Sequence, residues 1–117
     1  MPPVPARLQQ ASGTLSVEEF YGLREVPPET EWFANIDNPN TRRAYRNDIL
    51  DFMTFTGLTG SEQLRSVVRT HVIAWREHLV QRQCSRATIR RKMAALSSLY
   101  GYLAENNSIL LSPVDGV

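Results

Sequence analysis

The chain has 117 residues, of which 42% are hydrophobic and 21% are charged, so we expect one ordinary globular domain with a single core. No apolar run approaches the roughly 18 residues that span a membrane, and the start of the chain lacks the pattern of a secretion signal. The net charge is +1, but residues 1–40 carry two basic and six acidic residues while residues 41–117 carry eleven and six, so the second segment is expected to meet any polyanion.

The first forty residues predict a flexible lead-in and two short helices. Residues 1–13 contain three prolines and few large apolar side chains, which is typical of a flexible segment. Thr14 or Ser16 can cap the first short helix. Its apolar residues are Val17, Phe20 and Leu23. Pro28 suits the first turn of the second short helix, and a turn follows at residues 37–40. The apolar residues of that second helix are Trp32, Phe33 and Ile36.

A longer helix is predicted from a cap at Asn40 or Thr41 to about Thr56, where Gly57 closes it. Its apolar residues recur at spacings of three and four, which indicates one buried stripe. The stripe consists of Tyr45, Ile49, Phe52, Met53 and Thr56.

Two more helices complete the predicted fold. One runs from about Thr70 to Gln83, and the other from about Arg86 to Asn106 with Ser85 as its cap. The first buries Val72 or Ile73, Trp75, Leu79 and Val80, and the second buries Ile89, Met93, Leu96, Leu99, Tyr100 and Leu103. No segment alternates with period two for long enough to predict a strand. The fold class is therefore all-α, a compact bundle of four to five helices.

The basic residues of the two longest predicted helices occupy their N-terminal halves and their outer faces. At 100° per residue, Arg43 and Asn47 lie opposite the apolar stripe of their helix, with Arg42 and Arg46 flanking that stripe on one side. On the last helix the residues opposite the stripe are Ala87, Arg90, Arg91 and Ala94. Arg86 lies toward one edge of that face, and Lys92 lies near the edge of the apolar side.

Cations at a helix start oppose the helix dipole and cost a few tenths of a kcal/mol each, so an anionic partner would explain them. Small residues such as Ala87 and Ala94 would let that partner approach closely. Thr41, Ser85 and Thr88 can act as caps or as hydroxyl donors to phosphate. The alternative is that these arginines are simply solvated surface residues.

The sequence contains no arrangement that predicts an active site or a metal site. His71 and His78 lack a further ligand at metal-binding spacing. There is no glycine-rich phosphate loop, and no nucleophile, base and acid set is supported beyond the presence of the residue types.

Three stretches match a known pattern in their order and spacing. They are residues 14–20, residues 40–52 with Thr41 and Tyr45 four apart, and residues 88–103 followed by Ile109 and Pro113. Together they resemble the N-terminal, SAM-like core-binding domain of tyrosine recombinases, the phage integrase family. The resemblance covers about residues 14–117.

The resemblance implies a helical core-binding domain at residues 14–113, preceded by the lead-in and followed at residues 114–117 by the start of a linker. Such a domain grips one face of duplex DNA while a separate C-terminal domain closes on the other. Residues matching groove-facing or phosphate-facing places are Thr41, Arg43, Ala44, Asn47, Ala87, Thr88, Arg90 and Arg91. Residues expected to reach flanking phosphates are Arg42, Arg46, Arg86 and Lys92.

The family's catalytic Tyr, Arg, Lys and His residues belong to the C-terminal domain, so the resemblance implies a fragment that binds DNA and does not cut it. No cofactor, metal or membrane is expected, and the expected partners are double-stranded DNA and other recombinase protomers. Because Cys84 is the single cysteine, no internal disulfide can form, and we expect a cytoplasmic, nucleoid-associated protein.

The alternative function is a helical protein-interaction domain that contacts protomers or accessory proteins without binding DNA itself. Its surface would be the acidic N-terminal segment with Trp32 and Phe33.

Overall fold

The computed structural model describes residues 14–117, and this part of the chain contains helices and no strand. The helices are α1 (Val17–Arg24), α2 (Pro28–Ala34), α3 (Pro39–Thr56), a 3₁₀ helix (Ser61–Ser66), α4 (Arg69–Gln81) and α5 (Arg86–Glu105). The predicted all-α class is therefore confirmed. The predicted flexible lead-in at residues 1–13 lies outside the described residues.

The ends of the helices follow from local capping chemistry. Ser16 and Glu19 form a reciprocal capping box at the start of α1. Ser85 accepts a hydrogen bond from the Thr88 amide at the start of α5, as predicted. Gly57 ends α3 in the left-handed region at φ 77°, where glycine has no steric penalty.

The cap of α3 lies earlier than the sequence analysis expected. The Asn38 side chain accepts from the amides of Asn40 at 2.8 Å and Thr41 at 3.3 Å, so Asn38 and not Asn40 or Thr41 is the cap. Pro39 then occupies the first helical position, where its missing N–H costs nothing.

The core lies between α5 and the helices packed around it, because α2, α3 and α4 each pack against α5 and α3 also packs against α4. Trp75, Phe52 and Tyr100 are fully buried, and the Phe52 and Trp75 rings meet edge to face at 5.1 Å between centroids. The other buried core residues are Trp32, Ile49, Leu64, Val67, Val72, Leu79, Ala95, Leu96, Leu99 and Leu103.

Some predicted apolar positions are not buried. Val80 is 55% exposed, and of the two candidates on α4 it is Val72, not Ile73, that enters the core. On α1, Val17 and Phe20 are more than half exposed and Leu23 is also exposed, whereas Glu19 is the buried residue of this helix.

Trp32 is a packing residue. It is only 6% exposed, donates through Nε1 to Ser98 Oγ at 2.9 Å and stacks on Tyr45. It therefore does not form the contact surface that the alternative function assigned to it. Within residues 14–117, no helix combines the length and the apolar character needed to cross a lipid bilayer.

Candidate nucleic-acid interface

The outer face of α3 carries exposed polar side chains. Arg43 and Asn47 are exposed, and the nearest hydrogen-bond partner of Arg43 is the Asn40 side chain, 3.4 Å from Nη1. Thr41 and Ala44 are half-buried beside them. No carboxylate of residues 14–117 lies within ion-pairing distance of Arg43, so its charge is available to a partner.

The start of α5 presents a second exposed set. Arg86, Ala87 and Arg90 are exposed, and neither arginine forms an ion pair with a described residue. The Thr88 hydroxyl accepts from Ser85 Oγ at 2.9 Å, so both hydroxyl groups of this first turn take part in the cap. No acidic residue lies in the first turn of α3 or α5, whereas α1 and α2 both have acids there.

Arg91 is exposed on one side and anchored on the other. Its Nε and Nη2 donate to the two carboxylate oxygens of Asp48 at 3.1 and 2.8 Å. The Asp48 side chain has no exposed surface, while that of Arg91 is 48% exposed. The hydrogen bond to Asp48 raises the pKa of Arg91 above its ordinary value, against the opposing effect of partial burial.

Lys92 lies inside the bundle and not on the outer face of α5. It is buried, and its ammonium lies 3.1 Å from Asp48 Oδ1 and 2.9 Å from Asp51 Oδ2. Asp51 in turn binds Arg82 Nη1 at 3.0 Å. The structure does not support the phosphate contact expected for Lys92, because two carboxylates of α3 lie against its ammonium group inside the bundle.

Arg42 also points inward. Its Nη2 donates to the carbonyl oxygen of Ile36, and its Nε is buried without a hydrogen-bond partner among the described residues. The side chain therefore ties the segment before α3 to the helix, and the structure does not support a phosphate contact for it.

Arg46 stays exposed but lies on a different flank. It lines a mostly apolar groove of about 240 Å³ between α2 and α3. Trp32, Phe33, Leu50 and Met53 line the same groove. Arg46 is consequently separated from the Asp48–Arg91 pair, which lies on the flank of α3 that faces α5.

The polar contact between the two helices is made by Asp48 and Asp51 in the second half of α3 and by Arg91 and Lys92 in the first half of α5. The basic cluster of α5 therefore contacts carboxylates of α3 and not the basic cluster predicted on α3. We call the outward residues of both helices the outer basic face: Arg43, Asn47, Arg86, Ala87, Arg90 and Arg91.

Sequence reasoning missed the acidic partners in this region. Asp48 is adjacent to the apolar stripe and points toward α5, so a polar residue beside a buried stripe was the available signal. Its partners on α5 are 43 and 44 positions away in the chain, a separation that helix periodicity cannot connect. Among residues 14–117 no three His, Cys, Asp or Glu side chains come together as metal ligands.

The family model for the N-terminal SAM-like domain of phage integrases matches residues 37–107, which include α3, α4 and α5. No solved structure matches the chain.

Curated relatives share the same region. The chain is 36% identical over 74 residues to a tyrosine recombinase XerC of Listeria monocytogenes serotype 4a (strain HCC23), covering 63% of this chain and 25% of that protein. It is 30% identical over 78 residues to a tyrosine recombinase XerC of Herpetosiphon aurantiacus, and this match covers 67% of this chain and 26% of that protein. A tyrosine recombinase XerC of Roseiflexus sp. (strain RS-1) is 26% identical to the chain over 101 residues, and this match covers 86% of this chain and 30% of that protein. The chain thus spans about a quarter of the length of the first of these relatives.

Proposed function

The chain belongs to the family of phage integrase N-terminal SAM-like domains, and from that premise we propose that it binds duplex DNA through the outer basic face. The curated relatives are tyrosine recombinases by name. We propose in turn that this binding serves site-specific DNA recombination or integration, in an assembly with other recombinase protomers. The recombination chemistry is assigned to a longer protein and not to these residues.

The observation that carries the proposal is the set of unpaired cations on α3 and α5. Arg43, Arg86 and Arg90 are exposed and have no ion-pair partner among residues 14–117, although Arg65, Arg82 and Arg91 do. Unpaired guanidinium groups near helix N-termini, with no acid in the first turn, favour phosphate through charge, dipole and backbone N–H groups together. Thr41, Ala44 and Thr88 belong to the same proposed contact surface.

Titration of the chain into a 30-base-pair duplex at several salt concentrations tests this function. Each phosphate neutralised should lower log K by about 0.9 per unit of log salt. Arg90→Ala should therefore weaken binding and reduce the slope by about one. Arg24→Ala is the matched control, because Arg24 is an exposed arginine on α1 and does not belong to the outer basic face. Absence of binding at low salt, or binding without a salt slope, would contradict the proposal.

A second candidate function, protein interaction, is favoured by the exposed apolar residues of α1. Phe20 and Tyr21 are 51% and 54% exposed, and their rings contact each other edge to face. Phe33, the remaining residue of the contact surface predicted from the sequence, is half-buried in the groove between α2 and α3. A chain that forms dimers lost on Phe20→Ser, and that ignores DNA, would support this candidate over the first.

A further inference from the structure

The Asp48–Arg91 pair leaves a defined part of the guanidinium group free. An arginine carries five N–H donors on three nitrogens in one plane. Arg91 uses Nε and Nη2 for the two oxygens of Asp48. Nη1 has no hydrogen-bond partner within the described part of the chain, and one N–H of Nη2 also remains. These remaining donors form a fork at the end of the side chain, directed away from Asp48.

Asp48 can hold the free N–H donors of Arg91 in one orientation because its own carboxylate is held in place. Its side chain has no exposed surface, and Oδ1 also accepts from Lys92 Nζ at 3.1 Å. Arg91 is bound through both carboxylate oxygens, a geometry that sets the plane of the guanidinium as well as its position. The free fork is therefore held by a buried group, although half of the arginine side chain is exposed.

This geometry suits a base edge better than a phosphate. A phosphate contact depends mainly on net charge, and the Asp48 carboxylate offsets part of the charge of Arg91 and Lys92. A base edge requires two donors in a fixed plane, and guanine presents its O6 and N7 acceptors to such a fork in the major groove. Ala87 and Ala94 are exposed on the adjoining outer face of α5, so no large side chain there obstructs a close approach.

We propose that Asp48 is a positioning residue that holds Arg91 for bidentate, end-on recognition of a guanine in the major groove. The inference rests on the proposed DNA-binding function and adds one base contact and the residue that orients it. It predicts that the preferred duplex contains a guanine at one position whose recognition depends on both residues.

The experiment begins by selecting duplexes from a random-sequence pool with the unaltered chain. Each guanine of the selected duplex is then replaced in turn by 7-deazaguanine, which pairs normally but lacks the N7 acceptor. A complete bidentate base contact is worth roughly 5- to 100-fold in affinity, and the replacement removes one of its two acceptors, so at one position it should weaken binding by a factor toward the lower end of that range. Arg91→Ala should weaken binding to the unmodified duplex and show no further loss at that position.

Asp48→Asn separates orientation from charge. The substitution removes one negative charge, so a purely electrostatic role for Asp48 predicts tighter binding to every duplex with the 7-deazaguanine effect unchanged. The positioning role predicts that the 7-deazaguanine effect disappears while binding to scrambled duplex holds or improves. Asp51→Asn is the matched control, since it removes a carboxylate that binds Lys92 and Arg82 but does not contact Arg91. This control should keep the 7-deazaguanine effect.

Arg91→Lys covers the case in which Asp48→Asn does not fold, because the buried carboxylate then keeps a cationic partner. A lysine ammonium can still donate to guanine N7 but has no planar fork for Asp48 to orient, so this variant should show a smaller 7-deazaguanine effect than the unaltered chain. A full effect retained in Arg91→Lys, or in a folded Asp48→Asn, would overturn the inference while leaving DNA binding intact. Binding without any position sensitive to 7-deazaguanine would overturn it as well. No binding to any duplex would instead overturn the proposed function, and the inference with it.

Discussion

Tyr100 shows how one buried polar group is satisfied in this core. The side chain is fully buried, and its hydroxyl donates to the carbonyl oxygen of Leu64 at 2.7 Å. Burial raises the pKa of Tyr100, and the charge of Glu29 adds to the effect. The hydroxyl therefore remains a neutral donor at neutral pH.

Tyr100→Phe should lower the free energy of unfolding by about 1 kcal/mol, because a buried hydrogen bond is lost and the Leu64 carbonyl keeps only the longer bond from the Val67 amide, at 3.3 Å. Urea denaturation measures the change. Tyr102→Phe is the matched control: the Tyr102 hydroxyl donates to Glu31 at the surface, where water can replace it, and its loss should cost far less. Equal losses in the two variants would show that burial of the hydrogen bond does not matter.

The lowered pKa of Asp51 leads us to expect that the stability of the fold depends on pH. Partial burial raises its pKa, but hydrogen bonds and charge from Lys92 and Arg82 outweigh burial and leave the pKa below the ordinary 3.8. A carboxylate whose pKa is lower in the folded state than in the unfolded state stabilises the fold when the pH is above its unfolded-state pKa. That stabilisation is lost as the pH falls through its folded-state pKa.

The free energy of unfolding should therefore decrease as pH falls below about 4, and Asp51→Asn should make this decrease shallower. Urea denaturation at a series of pH values between about 5 and 2.5 measures both curves. Parallel curves for the two proteins would exclude Asp51 as a source of the acid sensitivity.

At the level of single residues, helix-capping residues could be predicted from the sequence more accurately than ion pairs between helices. Ser85 and Gly57 were identified correctly because a cap depends on a few neighbouring residues. Lys92 was expected at a phosphate because its position was judged from its own helix. Its true partners, Asp48 and Asp51, belong to another helix, and helix periodicity contains no information about which faces meet.

At the scale of elements, α3 depends on a cap that precedes its proline. Asn38→Ala should lower the free energy of unfolding by about 1 kcal/mol, since it leaves the amides of Asn40 and Thr41 without their acceptor. Thermal unfolding measures the loss. Asn40→Ala tests the position that the sequence favoured. Its side chain accepts from no backbone amide among the described residues, so it should change stability much less, and a larger loss there would assign the cap to Asn40.

Helix α5 is the element on which the bundle is assembled. Leu96 is fully buried on it, so Leu96→Ala should cost about 2–5 kcal/mol through lost burial and the cavity left behind. Val80 on α4 was also predicted to be buried but is 55% exposed. Val80→Ala should therefore be nearly neutral in the same denaturation experiment, and a comparable loss would place Val80 in the core.

Helices α1 to α5 were largely predictable, but the 3₁₀ helix Ser61–Ser66 was not predicted. Helix periodicity and caps predicted α3, α4 and α5 to within a few residues. The apolar residues of α1 at helical spacing, Val17, Phe20 and Leu23, are left exposed by the structure. A pattern shows that a helix has an apolar face, but only tertiary packing decides whether that face meets a partner within the same chain.

At the scale of the whole molecule, the ion pairs between α3 and α5 determine how part of the basic residues is arranged. The sequence placed cations at the starts of two helices, and the structure pairs Arg91 and Lys92 of α5 with carboxylates in the second half of α3. The point at which both helices contribute to one surface is the Asp48–Arg91 pair. Sequence alone predicted which residues face outward, but not which of them are neighbours.

The most direct test of the central claim is to map which backbone amides change their NMR signals when a 30-base-pair duplex is added to the chain. The account predicts the largest changes in the first half of α3 and of α5, at residues 41–47 and 86–91. Changes confined to α1 and to the groove lined by Phe33 and Leu50, or no change at saturating duplex, would contradict it.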